Sequence, residues 1–151
     1  MNDIVTPQPA PTKAANEDAG MLGILQVARV LQTRLEAALE SVGLSAPKYH
    51  ALEALVRADD SVPLSVLADR QQCVRSNITQ LVDRLEADGL VKRVDDPADR
   101  RCVRAVITEL GAERFAAGTE AIRKVQSDLT AGISAADRAN FLRVLSEFQG
   151  R

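Results

Sequence analysis

The sequence predicts a mainly α fold carrying a small β-hairpin. Three observations point there. Apolar residues recur at three- and four-residue steps through most of the chain, as on one face of a helix. Near the middle the pattern shortens to two β-branched, partly alternating runs, LVKRV and CVRAVIT, on either side of the polar segment DDPADRR. The composition is 46% hydrophobic but 3% aromatic, has no Trp, and is rich in Ala, Leu and Arg, which favour helix. At 151 residues the chain suits one domain, not a two-domain enzyme.

Residues 1–17 contain Pro7, Pro9 and Pro11 among small and polar neighbours and are predicted to be a disordered tail, leaving 18–151 as a single domain. A long amphipathic helix follows from Met21 through Leu25, Leu31, Leu35 and Leu39 to Val42, and Gly43 stops it. Ser45 is placed to cap a second helix with Pro47 in its first turn, ending at the polar turn Asp59-Asp60-Ser61. Ser65 is placed to cap a short helix to about Gln71. After a break at 72–74, RSNITQLVDRLEADG carries the apolar stripe Ile78, Leu81, Val82 and Leu85, closed by Gly89. Two short helices joined by a tight turn result, and the hairpin follows them directly. Thr108 caps a further long helix that gives way to Gly132, and Ser134 with Asp137 three residues on opens the last.

The order is that of a winged helix-turn-helix lobe, about 46–108, flanked by N- and C-terminal helices at about 19–43 and 109–150. The terminal helices carry apolar stripes with no complete partner in so small a body. A two-fold homodimer is the simplest cover for them.

Formal net charge is −2 and the pI is about 5.5, so the chain lacks the field of a protein that coats nucleic acid. Contact with double-stranded DNA must be local. Between Arg70 and Arg104 eight basic residues face six acidic ones, whereas the rest of the chain carries the acidic excess. In a helix-turn-helix the second helix enters the major groove. There Arg75 suits guanine, Asn77 and Gln80 suit adenine, and Ser76 and Thr79 suit phosphate or thymine methyl groups, with Arg84 on the same polar face. At the hairpin tip Arg100 and Arg101 suit a narrow minor groove, with Asp99 placed to hold one of them, and Ser65 and Lys92 are candidate phosphate contacts.

The stretch LADRQQCVRSNITQLVDRLEADGLVKRVDDPADRRCVRAVITELG resembles the core of the MarR (multiple antibiotic resistance regulator) family. There a recognition helix precedes a wing with an Asp-x-Arg motif, here Asp99 to Arg101, and a Thr-x-x-Gly helix start, here Thr108 to Gly111. The likeness is close from about Leu64 to Gly111. It implies an obligate dimer with intertwined terminal helices, two recognition helices on a pseudo-palindrome, and Arg101 in the minor groove. It further implies a repressor released by a small phenolic or other aromatic effector; with no signal-peptide hydrophobic region at its N-terminus, the chain is expected to be cytoplasmic. Two positions depart from the family pattern: Val74 stands where a Ser or Asp cap is common, and Gln72 where Gly is.

Tyr49 and His50 lie on the second helix, near where such families place their effector, and are its candidate residues beside ordinary packing roles. Cys73 reads as a small apolar turn residue or as a redox switch beside the recognition helix, and Cys102 as an exposed thiol of the wing. With one His and two Cys no conventional metal site is apparent, and no cofactor is expected. No Gly-rich phosphate loop, Gly-x-Ser-x-Gly, His-Glu-x-x-His or Cys-x-x-Cys occurs, so an enzyme is not expected. No stretch approaches the roughly 18 apolar residues of a membrane span. Two other readings stay open: a cysteine-based redox regulator on DNA, and a winged-helix protein-interaction module that never enters DNA.

Overall fold

Pro11 cannot sit inside a helix, and the run that follows it, KAANEDA, is made largely of helix-tolerant residues. In the computed structural model, which describes residues 13–58, 61–70, 75–96, 99 and 102–149, helix α1 accordingly spans Lys13–Glu40. It starts ahead of the boundary expected at 18, because Ala14 and Ala15 extend it backwards. Next come α2 (Ala46–Val56), β1 (Val62–Pro63), α3 (Leu64–Arg70) and α4 (Arg75–Ala87). The wing strands β2 (Val91–Asp95) and β3 (Val103–Ile107) then precede α5 (Glu109–Thr130) and α6 (Ala135–Gln149).

Internal contacts divide the chain into two units, 1–34 and 35–151. Within the first, Leu22, Ile24, Leu25, Val27 and Val30 of α1 are all exposed. The second holds the core. Leu52 and Leu55 of α2, Leu67 of α3, Ile78, Val82 and Leu85 of α4, and Val91 of β2 are its largest fully buried side chains. Ala105 of β3 is buried at the sheet centre. These residues recur at helical steps on α2 and α4, so one apolar stripe from each element closes the lobe.

The sheet has three strands in the order β1-β3-β2, all antiparallel, where the sequence predicted a hairpin alone. β1 is two residues long, too short to show alternation, and its Pro63 is tolerated because β1 is an edge. Strand runs into helix without a loop, so Ser65 lies in the first turn of α3 and is not the residue before it. Ser45 does precede α2, with extended backbone, yet its side chain makes no capping bond. The helix stops at Gly43 and Gly89 are as expected: both adopt positive φ, +74° and +72°. At α6, Ser134 Oγ accepts from Asp137 N at 3.1 Å and donates to the Asp137 carboxylate at 2.7 Å.

One junction ties the end of α4, the wing and α5 together. Thr108 N donates to Leu90 O at 3.0 Å, its hydroxyl donates to Gly89 O at 2.7 Å, and the same oxygen accepts from Gly111 N at 3.0 Å. Gly111 packs so closely that a Cβ there would lie 2.0 Å from Leu90 O. In an ordinary helix, Gly→Ala stabilises by about 1 kcal/mol. Here the sign reverses: Gly111→Ala is expected to destabilise by about 2 kcal/mol or more through overpacking against backbone, and Thr108→Ala by about 1 kcal/mol through the lost cap. Urea denaturation of the two variants measures both, and a Gly111→Ala protein as stable as wild type would contradict the packing described.

Candidate nucleic-acid interface

The face of α4 opposite Ile78, Val82 and Leu85 is exposed and polar. Asn77, Gln80 and Arg84, at i, i+3 and i+7, share one line along it and are all exposed. Arg75 and Ser76 form the first turn of α4, where a helix entering a groove places its base-reading residues. Thr79 is exposed too but falls on a different line, with Asp83 and Glu86, at the edge of α4 that faces β2. Ser65 is exposed on α3.

The wing rises from β2 and β3, paired in register from Val91 opposite Ile107 to Asp95 opposite Val103. Lys92 projects from β2 and is exposed. Above the strands Asp96 N donates to Cys102 O at 3.0 Å, and Cys102 N donates to Asp99 O at 2.8 Å. Asp99, expected to hold a tip arginine, also accepts from the exposed Cys102 thiol at 3.5 Å. Arg100, Arg101, Cys73, Gln72 and Val74 lie outside the described residues.

Two arginines that the sequence counted only as local positive charge prove to be structural. Arg104, half-buried on β3, donates from Nε to Ser61 Oγ at 2.7 Å, from Nη2 to Ser61 O at 2.5 Å, and from Nη1 to Asp96 at 2.9 Å. It straps the segment before β1 to the point where β2 leaves the sheet. Arg93 on β2 pairs with Asp83 at 2.5 Å and Glu86 at 3.1 Å, both on α4. Beyond them, Lys48 of α2 pairs with Asp88 after α4. None of these long-range pairs has a short sequence spacing that would announce it.

Among the described residues, two clefts open on the lobe. One, about 260 Å³, is lined by Pro63, Leu64, Ser65, Ile78, Thr79, Cys102 and Val103, so it brings Ser65, Thr79 and Cys102 together between α3, α4 and the wing. The other, about 380 Å³, lies among Gly43, Lys48, Asp88, Leu90, Leu110 and Arg114. Tyr49 and His50 line neither. Tyr49 is a core residue, stacked on Phe115 with ring centroids 5.2 Å apart and hydrogen-bonded through its hydroxyl to Thr119 at 3.1 Å. His50 is exposed, 3.5 Å from the Glu53 carboxylate.

Comparison with known proteins agrees with this geometry. Residues 42–101 match the family model described as MarR family. The chain is 26% identical over 137 residues to the HTH-type transcriptional repressor IacR of Pseudomonas putida, covering 91% of this chain and 81% of that one. A transcriptional regulator (MarR family) from Rhodococcus sp. RHA1 superposes with a TM-score of 0.71 at 25% identity, covering 91% of this chain and 96% of that one. The fold is shared also with the organohalide-sensing RdhR transcriptional regulator in its 2,4-dichlorophenol-bound form, at TM-score 0.73 and 21% identity, covering 97% of this chain and 89% of that one. Against curated relatives at 31% and 32% identity, the chain spans about half their length.

The Arg104 strap carries its own prediction. Because Arg104 and Asp96 are largely shielded, with side-chain exposures of 22% and 15%, a double-mutant cycle with Arg104→Met and Asp96→Asn is expected to give a coupling of about 1 kcal/mol in urea denaturation. Additive single effects would show that the pair does not brace the wing.

Proposed function

We propose that the chain is a winged helix-turn-helix transcriptional regulator of the MarR family, whose model matches residues 42–101, and that it represses transcription from a pseudo-palindromic operator as a homodimer until a small aromatic effector releases it. The observation that carries this reading is the exposed line Asn77, Gln80 and Arg84 on α4, set beside the wing in the segment that matches the family. Asn and Gln offer paired donors and acceptors to adenine, and Arg84 and Lys92 offer charge to phosphate. Arg75 and Ser76 in the first turn of α4, Thr79 at its β2-facing edge, Ser65 on α3, and Asp99, Arg100 and Arg101 in the wing complete the proposed contact set. In this reading the protein acts in the cytoplasm.

The dimer is supported by apolar surface. Phe141 and Leu142 on α6 are 56% and 59% exposed, and Val144 and Leu145 beside them are also exposed. Leu22 and Leu25 on α1 are each 59% exposed. Stripes of this kind mark partner surfaces, and a second copy of the chain is the partner we propose for each. Repression follows the name borne by IacR, and an aromatic effector follows the dichlorophenol of the RdhR structure. For its site we propose the side of α2 that carries His50, backed by Tyr49.

Fluorescence anisotropy on the intergenic DNA flanking the gene, at two salt concentrations, tests the central reading. Wild type is expected to bind tightly and to weaken steeply with salt, and Arg101→Ala to bind clearly more weakly. Salt-independent behaviour, or none at all on DNA selected without bias, would favour the protein-interaction module instead. Analytical ultracentrifugation tests the dimer: wild type should sediment as a dimer, and Phe141→Glu with Leu145→Glu as a monomer that has lost operator binding.

A further inference from the structure

We infer that Arg93 is a positioning residue for the recognition helix: from β2 it sets the angle at which α4 presents its exposed face, acting through Asp83 and Glu86. This deepens the DNA-binding reading and rests on it.

The geometry is that of a fork closed on one edge of α4. Arg93 Nη2 lies 2.5 Å from Asp83 Oδ1 and donates to Thr79 O at 3.3 Å, Nη1 donates to Glu86 Oε2 at 3.1 Å, and the Arg93 backbone N–H donates to Glu86 Oε1 at 3.1 Å. Thr79, Asp83 and Glu86 stand at i, i+4 and i+7, so the contacts run along α4 for two turns and do not pin it at one point. At its other end the clamp is rigid, because Arg93 sits in β2 opposite Ala105, which is fully buried in β3.

What this adds to the core follows from the kinds of force involved. Ile78, Val82 and Leu85 hold α4 onto the lobe by apolar burial, which resists separation but is non-directional, and so resists rolling of the helix weakly. A guanidinium fork is planar and directional, and fixes rotation as well as distance. A roll of α4 about its axis swings Asn77, Gln80 and Arg84 together out of register with base edges. Arg93 joins α4 to β2 of the wing through the neighbouring line Thr79, Asp83 and Glu86.

The electrostatics make the inference testable by sign. Asp83 and Glu86 are 53% and 41% exposed in their side chains and sit on the helix that faces phosphate. If they mattered only as charge, neutralising them would strengthen binding to every DNA sequence. If they hold Arg93, neutralising them releases α4 and weakens recognition of the preferred sequence while general affinity rises.

The test compares a duplex that wild type selects from a random library with a scrambled duplex of the same composition, for wild type, the Asp83→Asn/Glu86→Gln double variant, Arg93→Lys and Arg93→Ala. The double variant keeps shape and hydrogen-bonding capacity and so guards against misfolding of the alanine variant. Expected is a fall of about tenfold in the preference for the selected duplex in the double variant, with scrambled-duplex binding unchanged or tighter. Arg93→Lys keeps the charge but not the fork and should lose preference as well. The salt slope of Arg93→Ala should match wild type. Parallel tightening on both duplexes in the double variant, preference retained by Arg93→Lys, or a slope reduced by about 1 in Arg93→Ala, the mark of a direct phosphate contact, would each overturn the inference. Selection that yields no preferred duplex even for wild type would overturn the DNA reading itself, and this inference with it.

Discussion

The Thr108 junction is the constraint on which the rest of the lobe depends. One hydroxyl receives the Gly111 amide and donates to Gly89, while the Thr108 amide reaches Leu90, so the end of α4, the start of β2, the end of β3 and the start of α5 meet within a few bonds. Four termini brought together would normally leave several backbone groups exposed to competing water. Here they satisfy one another. Only glycine at 111 lets α5 approach this closely, and only a small hydroxyl residue at 108 serves both neighbours.

From that junction α5 is held along its length. Arg114 donates to Val42 O at 2.8 Å, on the turn after α1, and a Cβ on Gly118 would lie 3.0 Å from Tyr49 and 3.1 Å from Leu44. The Tyr49 hydroxyl closes on Thr119 one residue further along. Small residues at two levels of α5 therefore set its distance from the lobe, first to the wing and then to α2. Tyr49, which the sequence offered as an effector or a packing residue, is packed here, with its polar end on a partner of α5. A buried phenol needs such a partner.

The order of helices and hairpin, both glycine stops, the cap at Thr108 and the cap at Ser134 were all legible in the sequence, because each depends on residues within a few positions of one another. The third strand was not. Two residues cannot declare a period, and Val62-Pro63 pairs with a strand some forty residues later. The same reason hid the roles of Arg93 and Arg104, whose partners are set by tertiary register. The α4 face was legible as a pattern, since Asn77, Gln80 and Arg84 recur at helical spacing. That Thr79 belongs to the other edge of the helix was less visible, because its partner there is β2.

Charge shows how an acidic protein keeps a face fit for DNA. Of the six acidic residues between Arg70 and Arg104, Asp83 and Glu86 are taken up by Arg93, Asp88 by Lys48, and Asp96 by Arg104. The pairs of Arg93 with the half-exposed Asp83 and Glu86 add little to stability in water, unlike the shielded Arg104–Asp96 pair. Each pair cancels one negative charge of the lobe, and the Arg93 pairs do so on α4 itself. The cations that perform the cancelling come from β2, β3 and α2, so Arg84 and Lys92, exposed and outside these pairs, keep their charge for a partner. A basic patch counted along the sequence overstates the number of arginines available to DNA and understates the effect of each. The net charge of −2 constrains the whole molecule, whereas the field at α4 is set by which acids have been paired and from which side.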